Sequence, residues 1–211
     1  MDGWQSKYNL KHIAVAMHIH HKVHEKFPAR ANCDTNGKLL LSWRVLILPY
    51  LDQNDLYLRF RTDEPWDSEY NQKLIPLMPT VYRNPSGTPQ PGMTQYLAVC
   101  GRGLLFDLTK GKSIAEITDG ASCTIMVVEA DPDRAVIWTK PDDLEYNAAK
   151  PFDGLGKAQP GGFYASFADA AVRFIGADID PKVFQTFLTI SDCQAIPEDM
   201  RRRLIQEGVA P

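Results

Sequence analysis

The chain has 211 residues, 44% of them apolar and 23% charged, with a formal net charge of −3. That length suits one domain with a full core of its own. The mild acidity excludes a polyanion as the natural partner, so nucleic acid is not expected. No stretch reaches the roughly 18 consecutive apolar residues of a membrane span. The first seven residues lack the basic and then apolar pattern of a signal peptide. The chain is therefore expected to be soluble, and a location outside the cytoplasm would need a targeting segment that was removed or lies upstream.

The first predicted element is a helix. Leu10, Ile13, Ala14 and Met17 recur at i, i+3, i+4 and i+7, and the same stripe extends to His21 and His24. Phe27-Pro28 ends it, because proline disfavours helical geometry in the residue before it. A loop is expected through Asn32–Gly37. Ser42 then reads as the N-cap of a helix carrying Trp43, Leu46, Ile47 and Tyr50, which Pro49 should split. A short turn is expected from Asp52 or Asn54 to Phe60. The proline-bearing stretch from Thr62 to Gly92 reads as loop, with one helical turn near Asn71–Leu77.

Strand signals follow. Gln95–Cys100 is one, and Ser122–Ala130, with its β-prone run Thr124–Val128, is the strongest. Ala135–Thr139 is a third, and Lys140–Gly162 reads as a polar loop. Gly162–Ala168 and Ala171–Ile175 should form a hairpin around Asp169-Ala170. Pro181–Ile190 reads as a short helix with proline in its first turn, and a last helix is expected over Pro197–Gln206, ended by Gly208. Regular βαβ alternation is absent, which argues against a nucleotide-binding α/β fold. The expectation is a single α+β domain over 1–211: an N-terminal helix (1–28), a helix and loop insertion (29–92), an antiparallel sheet (93–176) and C-terminal helices (177–211).

Candidate chemistry is sparse. All five histidines fall between residues 12 and 24. His20 and His24 are four apart, so one helix face could present two imidazoles to a metal, and His18 with His21 offer a similar pair. No HExxH arrangement accompanies them. The competing reading has some of these rings packed on the sheet and others in solvent. Asp119, Glu129, Asp131, Asp133 and Asp169 sit at predicted strand ends and turns. Oxygen ligands of this kind suit Ca²⁺, although turn capping is the simpler role. Neither Ser86 nor Ser122 lies in a GxSxG elbow, and Gly101-Arg102-Gly103 is too short to cradle phosphate. Arg201-Arg202-Arg203, beside Glu198 and Asp199, reads as a solvated helix face. No pair among Cys33, Cys100, Cys123 and Cys193 has redox or zinc-motif spacing. Four unpaired buried thiols are the default, and three disulfide pairings remain open.

Ordered blocks of sequence also carry a resemblance. They include Asn9–Ile13, Ala16-Met17-His18, His21, His24 and Phe27-Pro28, then Ser42–Leu51, Leu56-Tyr57, Phe60 and Pro65-Trp66-Asp67. Tyr82–Ser86, Thr94–Val99, Thr118–Ile125 with Glu129-Ala130, Trp138–Leu144 and Gly162–Ile175 follow. Together they resemble the pilin-like family of planctomycete bacteria known as domain of unknown function 1559, over about Asn9 to Ile190. The resemblance marks His18, His21, His24, Trp43, Asp119, Gly120, Glu129 and Asp169 as family-motif positions. This chain departs from the family at Gln159, where the C-terminal motif has His, and at Ala170, where it has Gly. Asn84 replaces a family cysteine, and Ser6 stands near the place of another, so a family disulfide is expected to be missing.

The resemblance implies a pilin-like architecture, with the N-terminal helix packed on an antiparallel sheet. In pilin-like proteins the upstream half of that helix is apolar, anchors in the membrane and packs the filament, and this sequence begins after that half. The implied function is a non-catalytic, pseudopilin-like structural protein of the bacterial cell envelope. It would self-associate or dock with other pilin-like or secretion components, with no cofactor. The alternative is a ligand- or metal-binding module that uses the His-bearing helix and the loops around Trp43, Trp66 and Trp138.

Overall fold

The computed structural model describes residues 2–85, 90–107 and 110–191. Helix α1 runs over Asp2–His24, as its apolar stripe predicts, and Glu25 in the left-handed region ends it. Ser6, Asn9, Leu10, Ile13, Ala14, Ala16 and Met17 are all buried along one side. This face lies across a five-stranded sheet of order β7-β4-β5-β8-β9: β4 is Tyr96–Cys100, β5 Ile125–Glu129, β7 Leu144–Glu145, β8 Gly162–Phe167 and β9 Val172–Gly176. Helix α4, Pro181–Thr186, is capped by the Asp180 carboxylate, which accepts from the amides of Lys182 and Val183.

The strands of the central trio are buried almost throughout because the sheet is covered on both sides. Alternation along β4 sends Tyr96, Ala98 and Cys100 toward α1 and Leu97 and Val99 to the opposite layer. On β8, Phe163, Ala165 and Phe167 face that opposite layer, where they meet Phe184 and Phe187. In β5, Met126 and Val127 are neighbours in sequence yet both face the α1 side. A register irregularity between Ile125 and Val127 against β8 accommodates them. The architecture is α+β, as expected, with a helix laid on a mainly antiparallel sheet.

Three expectations are corrected. The stretch read as loop at Asn32–Gly37 belongs to a hairpin, β1 (Ala31–Cys33) with β2 (Leu39–Ser42), whose turn is tied by Asp34 accepting from the amides of Asn36 and Lys38. Two short strands with one buried side carry too little periodicity to register in sequence. The segment at Ala135–Thr139 does not join the main sheet: β6 (Val136–Ile137) pairs with β3 (Met93–Thr94) in a ribbon of its own. The loop read over Lys140–Gly162 contributes β7, which lies parallel to β4, so the sheet is mixed. Parallel pairing needs a long crossover, and the chain between β4 and β7 supplies it.

The expected helix at Trp43–Tyr50 is split as Pro49 requires. Ser42 caps α2 (Trp43–Leu46), and Pro49 opens a separate 3-10 turn over Leu48–Leu51. Helix α3 covers Asn54–Tyr57, and the turn predicted near Asn71–Leu77 is a 3-10 helix with those bounds. The loop before that turn is held by the Asn71 side chain, which donates to the carbonyls of Arg61, Glu64 and Pro65 and accepts from the Arg61 amide. The hairpin around Asp169-Ala170 forms as expected, with Ala170 at φ 62°. The expected last helix, the Arg201–Arg203 cluster and Cys193 lie outside the described residues. Among the described residues Cys33, Cys100 and Cys123 are free, and burial pushes the Cys100 thiol far up.

Beneath α2 sits a buried ion pair. Arg44 Nη2 lies 2.6 Å from Asp143 Oδ1, and both side chains are fully enclosed. The same oxygen accepts from the Trp43 indole and the Ala98 amide, while Arg44 also donates to the Tyr96 carbonyl and Ser42 Oγ. Burial pushes the Asp143 carboxyl up, and Arg44 with the Ala98 amide pushes back. Arg30 approaches from the side and bonds to Glu145. These bonds join the 30–44 segment to β4 and β7, so the insertion is fastened to the sheet edge.

Candidate assembly face

Helix α1 carries a second stripe, opposite the buried one. Trp4, Tyr8, Val15, Ile19 and Val23 recur at helical spacing, and all are exposed, from 40% for Val15 to 70% for Trp4. Trp4 stacks on Tyr8 at 5.6 Å between ring centroids, and Tyr8 meets His12 at 4.1 Å. Over 23 residues the face extends roughly 35 Å. Lys7 and Lys11 flank it, and Lys11 Nζ donates to the Ala170 carbonyl. On one side is a groove of about 360 Å³ lined by Trp4, Lys7, Tyr8, Lys11, Ala171 and Val172. On the other side a larger groove of about 490 Å³ runs between His12, Val15 and the segments at Tyr50–Gln53 and Pro79–Val81. A helix apolar on both sides is ordinarily covered on both sides.

Under this helix lies a polar seam centred on Glu129, which is fully buried at the end of β5. Its Oε1 accepts from Ser6 Oγ at 2.7 Å, Asn84 Nδ2 at 2.8 Å and Gln159 Nε2 at 2.9 Å. The Tyr164 amide approaches Oε2 at 3.4 Å. The Tyr96 hydroxyl donates to Ser6 Oγ and accepts from Asn9 Nδ2, which also donates to the Arg83 carbonyl. Burial pushes the Tyr96 phenol far up, opposed by its bonds to Ser6 and Asn9. One carboxyl thus gathers α1, the segment after Tyr82, β5 and the segment entering β8. Ser6, Asn84 and Gln159, far apart in the sequence, meet on the same oxygen.

The predicted site residues are scattered. His18 sits edge-on to Phe27 with one ring nitrogen bonded to the Ala168 backbone, while Nε2 is buried without a partner. Burial lowers its pKa. His21 also packs on Phe27, and its Nε2 accepts from the Ile114 amide. His20 and His24 do come together, with ring centroids 4.3 Å apart and Tyr50 beside both. Asp169 pairs with Arg173 and caps the Ala171 amide. Burial would raise its carboxyl, and Arg173 with that amide outweighs burial and holds it below the usual range. Asp131 accepts from the Lys157 amide, although burial raises its pKa. Asp133 lies in a 3-10 turn, and Asp119 precedes Gly120, whose φ of 101° makes the tight entry into the turn at Ala121–Cys123. Among the described residues no three His, Cys, Asp or Glu side chains are grouped to hold a metal.

Two of the three tryptophans expected around a ligand site are core residues. Trp43 and Trp138 are fully buried, with their indole N–H groups spent on Asp143 and the Ile75 carbonyl. Tyr82 stacks on Trp138 and sits edge-on to Trp43. Large aromatics whose polar handle finds an internal partner belong to the core. Trp66 is half-buried beside Lys140.

Residues 4–101 match the family described as "Protein of unknown function (DUF1559)". Over that stretch, a little under half of its length, the chain is similar to this family. The DUF1559 stretch takes in α1, the insertion and β4, and so holds the exposed stripe and two of the Glu129 donors, Ser6 and Asn84. Glu129 itself and Gln159 lie beyond it, as do the resembling blocks from Thr118 onward. No curated protein and no solved structure matches the chain. Among the described residues no helix is long and apolar enough to cross a membrane.

The sequence reading missed the exposed stripe. Its signal was present: positions 4, 8, 15, 19 and 23 repeat at helical spacing just as 10, 13, 14 and 17 do. Reading one apolar face to the core leaves the second without an intramolecular partner.

Proposed function

We propose that this chain is a non-catalytic, pseudopilin-like structural protein of the bacterial cell envelope. It self-associates, or docks into a secretion or pilus-like assembly, through the solvent face of α1. The observation that carries this reading is the stripe Trp4, Tyr8, Val15, Ile19 and Val23, exposed along the helix between two grooves. Covering apolar surface recovers about 25 cal/mol per Å², so a partner helix laid along this face has a continuous gain to collect. The polar cluster around Glu129 lies beneath α1, and the Arg44–Asp143 pair is fully enclosed, which favours assembly over chemistry.

Val15→Glu combined with Ile19→Glu tests the face. Both side chains are exposed, so the fold should be retained by circular dichroism. Light scattering over a concentration series should show association by the wild-type chain and its loss in the variant. A wild-type chain that is monomeric at every concentration, or a variant that associates equally well, refutes self-association through this face.

A further inference from the structure

We propose that His20 and His24 form a binding site for a divalent transition metal of the zinc, nickel or copper class. The two residues are one helical turn apart near the C-terminus of α1, and their rings lie 4.3 Å apart between centroids. Neither ring is left to rotate freely. His20 Nδ1 is 2.9 Å from the Lys26 carbonyl, and a carbonyl only accepts, so Nδ1 carries the proton and Nε2 keeps a bare lone pair. His24 Nε2 is 2.8 Å from the Tyr50 hydroxyl, and the Tyr50 ring stands edge-on to both imidazoles. Metal-binding histidines are oriented in this way, with one ring nitrogen engaged by an oxygen and the other presented to the ion.

The backbone turn after the helix builds part of this arrangement. Glu25 adopts φ 61°, which turns the chain so that the Lys26 carbonyl faces back to His20. The helix C-terminus adds a partial negative charge that favours a cation. Lys22 lies about half a turn of the helix away from the pair, on the opposite face. His20 is half-buried and His24 exposed, so water reaches the pair and can fill the remaining coordination positions. Imidazole nitrogen selects borderline metals over calcium or magnesium. His18 and His21 do not join the pair, since both rings are occupied against Phe27.

Calorimetric titration of the wild-type chain with Zn²⁺, repeated with Ni²⁺, tests the site. The expected result is saturable binding at one ion per chain. His20→Ala and His24→Ala should each reduce binding to the level of the double variant. His12→Ala, which removes an exposed imidazole from the same helix, should leave it unchanged. Circular dichroism checks that each variant is folded, and a shift of the wild-type melting temperature on adding metal gives a second readout. Absence of saturable binding overturns the proposal, as does binding that survives both single substitutions. The proposal is independent of the assembly reading, whose test uses Val15 and Ile19.

Discussion

Replacing Glu129 by alanine removes the acceptor that Ser6, Asn84 and Gln159 share. Leaving a buried donor without a partner costs about 1–3 kcal/mol. Three donors lose this acceptor at once, Gln159 from a part-buried position, and the vacated space adds a packing term, while water entering the seam returns part of the loss. The expected destabilisation is about 3–5 kcal/mol, at the upper end of single substitutions. For a chain of this size each kcal/mol lowers the melting temperature by about 2–4 °C, so a drop of about 6–20 °C follows. The loss should be localised as well. Hydrogen exchange should accelerate first in the turns of α1 around Ser6 and Asn9, because the seam is what fastens that end of the helix to β5. Ser6→Ala removes two bonds, the one given to Glu129 and the one accepted from the Tyr96 hydroxyl, with an expected loss of about 1–3 kcal/mol. The double-mutant cycle of the two substitutions, followed by urea unfolding, should show a coupling energy of about 0.5–3 kcal/mol. A Glu129→Ala chain within 1 kcal/mol of wild type, or a coupling energy near zero, refutes the seam as the attachment of α1.

Two further outcomes follow from the hairpin that closes the sheet. Ala170→Gly should stabilise the chain by about 0.5–1 kcal/mol, measured by urea unfolding, because Ala170 is held at positive φ where a Cβ is strained. Asp169→Asn should lower stability at neutral pH and flatten the acid limb. The Asp169 carboxyl is held below its usual range in the folded chain, so its contribution is complete above the unfolded value of about 3.9 and disappears as pH falls through the folded one. Melting temperatures between about pH 6 and pH 2 check this, and a variant as acid-sensitive as wild type contradicts it.

Much of the fold was legible from local chemistry. The stripe of α1, the Ser42 cap, the break at Pro49, the turn at Asn71–Leu77 and the hairpin at Asp169-Ala170 all depend on residues near one another in the chain. The β1–β2 hairpin was misread because its strands are short; the other misread elements depend on a distant partner. β7 and the β3–β6 ribbon are two-residue strands that exist only because another segment passes alongside. The candidate site divides in the same way. The His20–His24 pair follows from helical spacing, but the Lys26 carbonyl and Tyr50 hydroxyl that orient the two rings do not.

For this chain, sequence alone determined a long N-terminal helix and strands that pair mainly antiparallel, because periodicity, capping residues and β-prone runs act over a few positions; that the helix lies on the sheet was implied only by the resemblance. It also pointed to the family through ordered blocks. Tertiary structure alone decided which residues gather on Glu129. Ser6, Asn84 and Gln159 are scattered over more than 150 positions, and only folding brings them onto one carboxyl oxygen. Tertiary structure likewise decided which apolar face of α1 is buried and which is exposed. One side of a helix can be satisfied by its own sheet, and the other side cannot reach it.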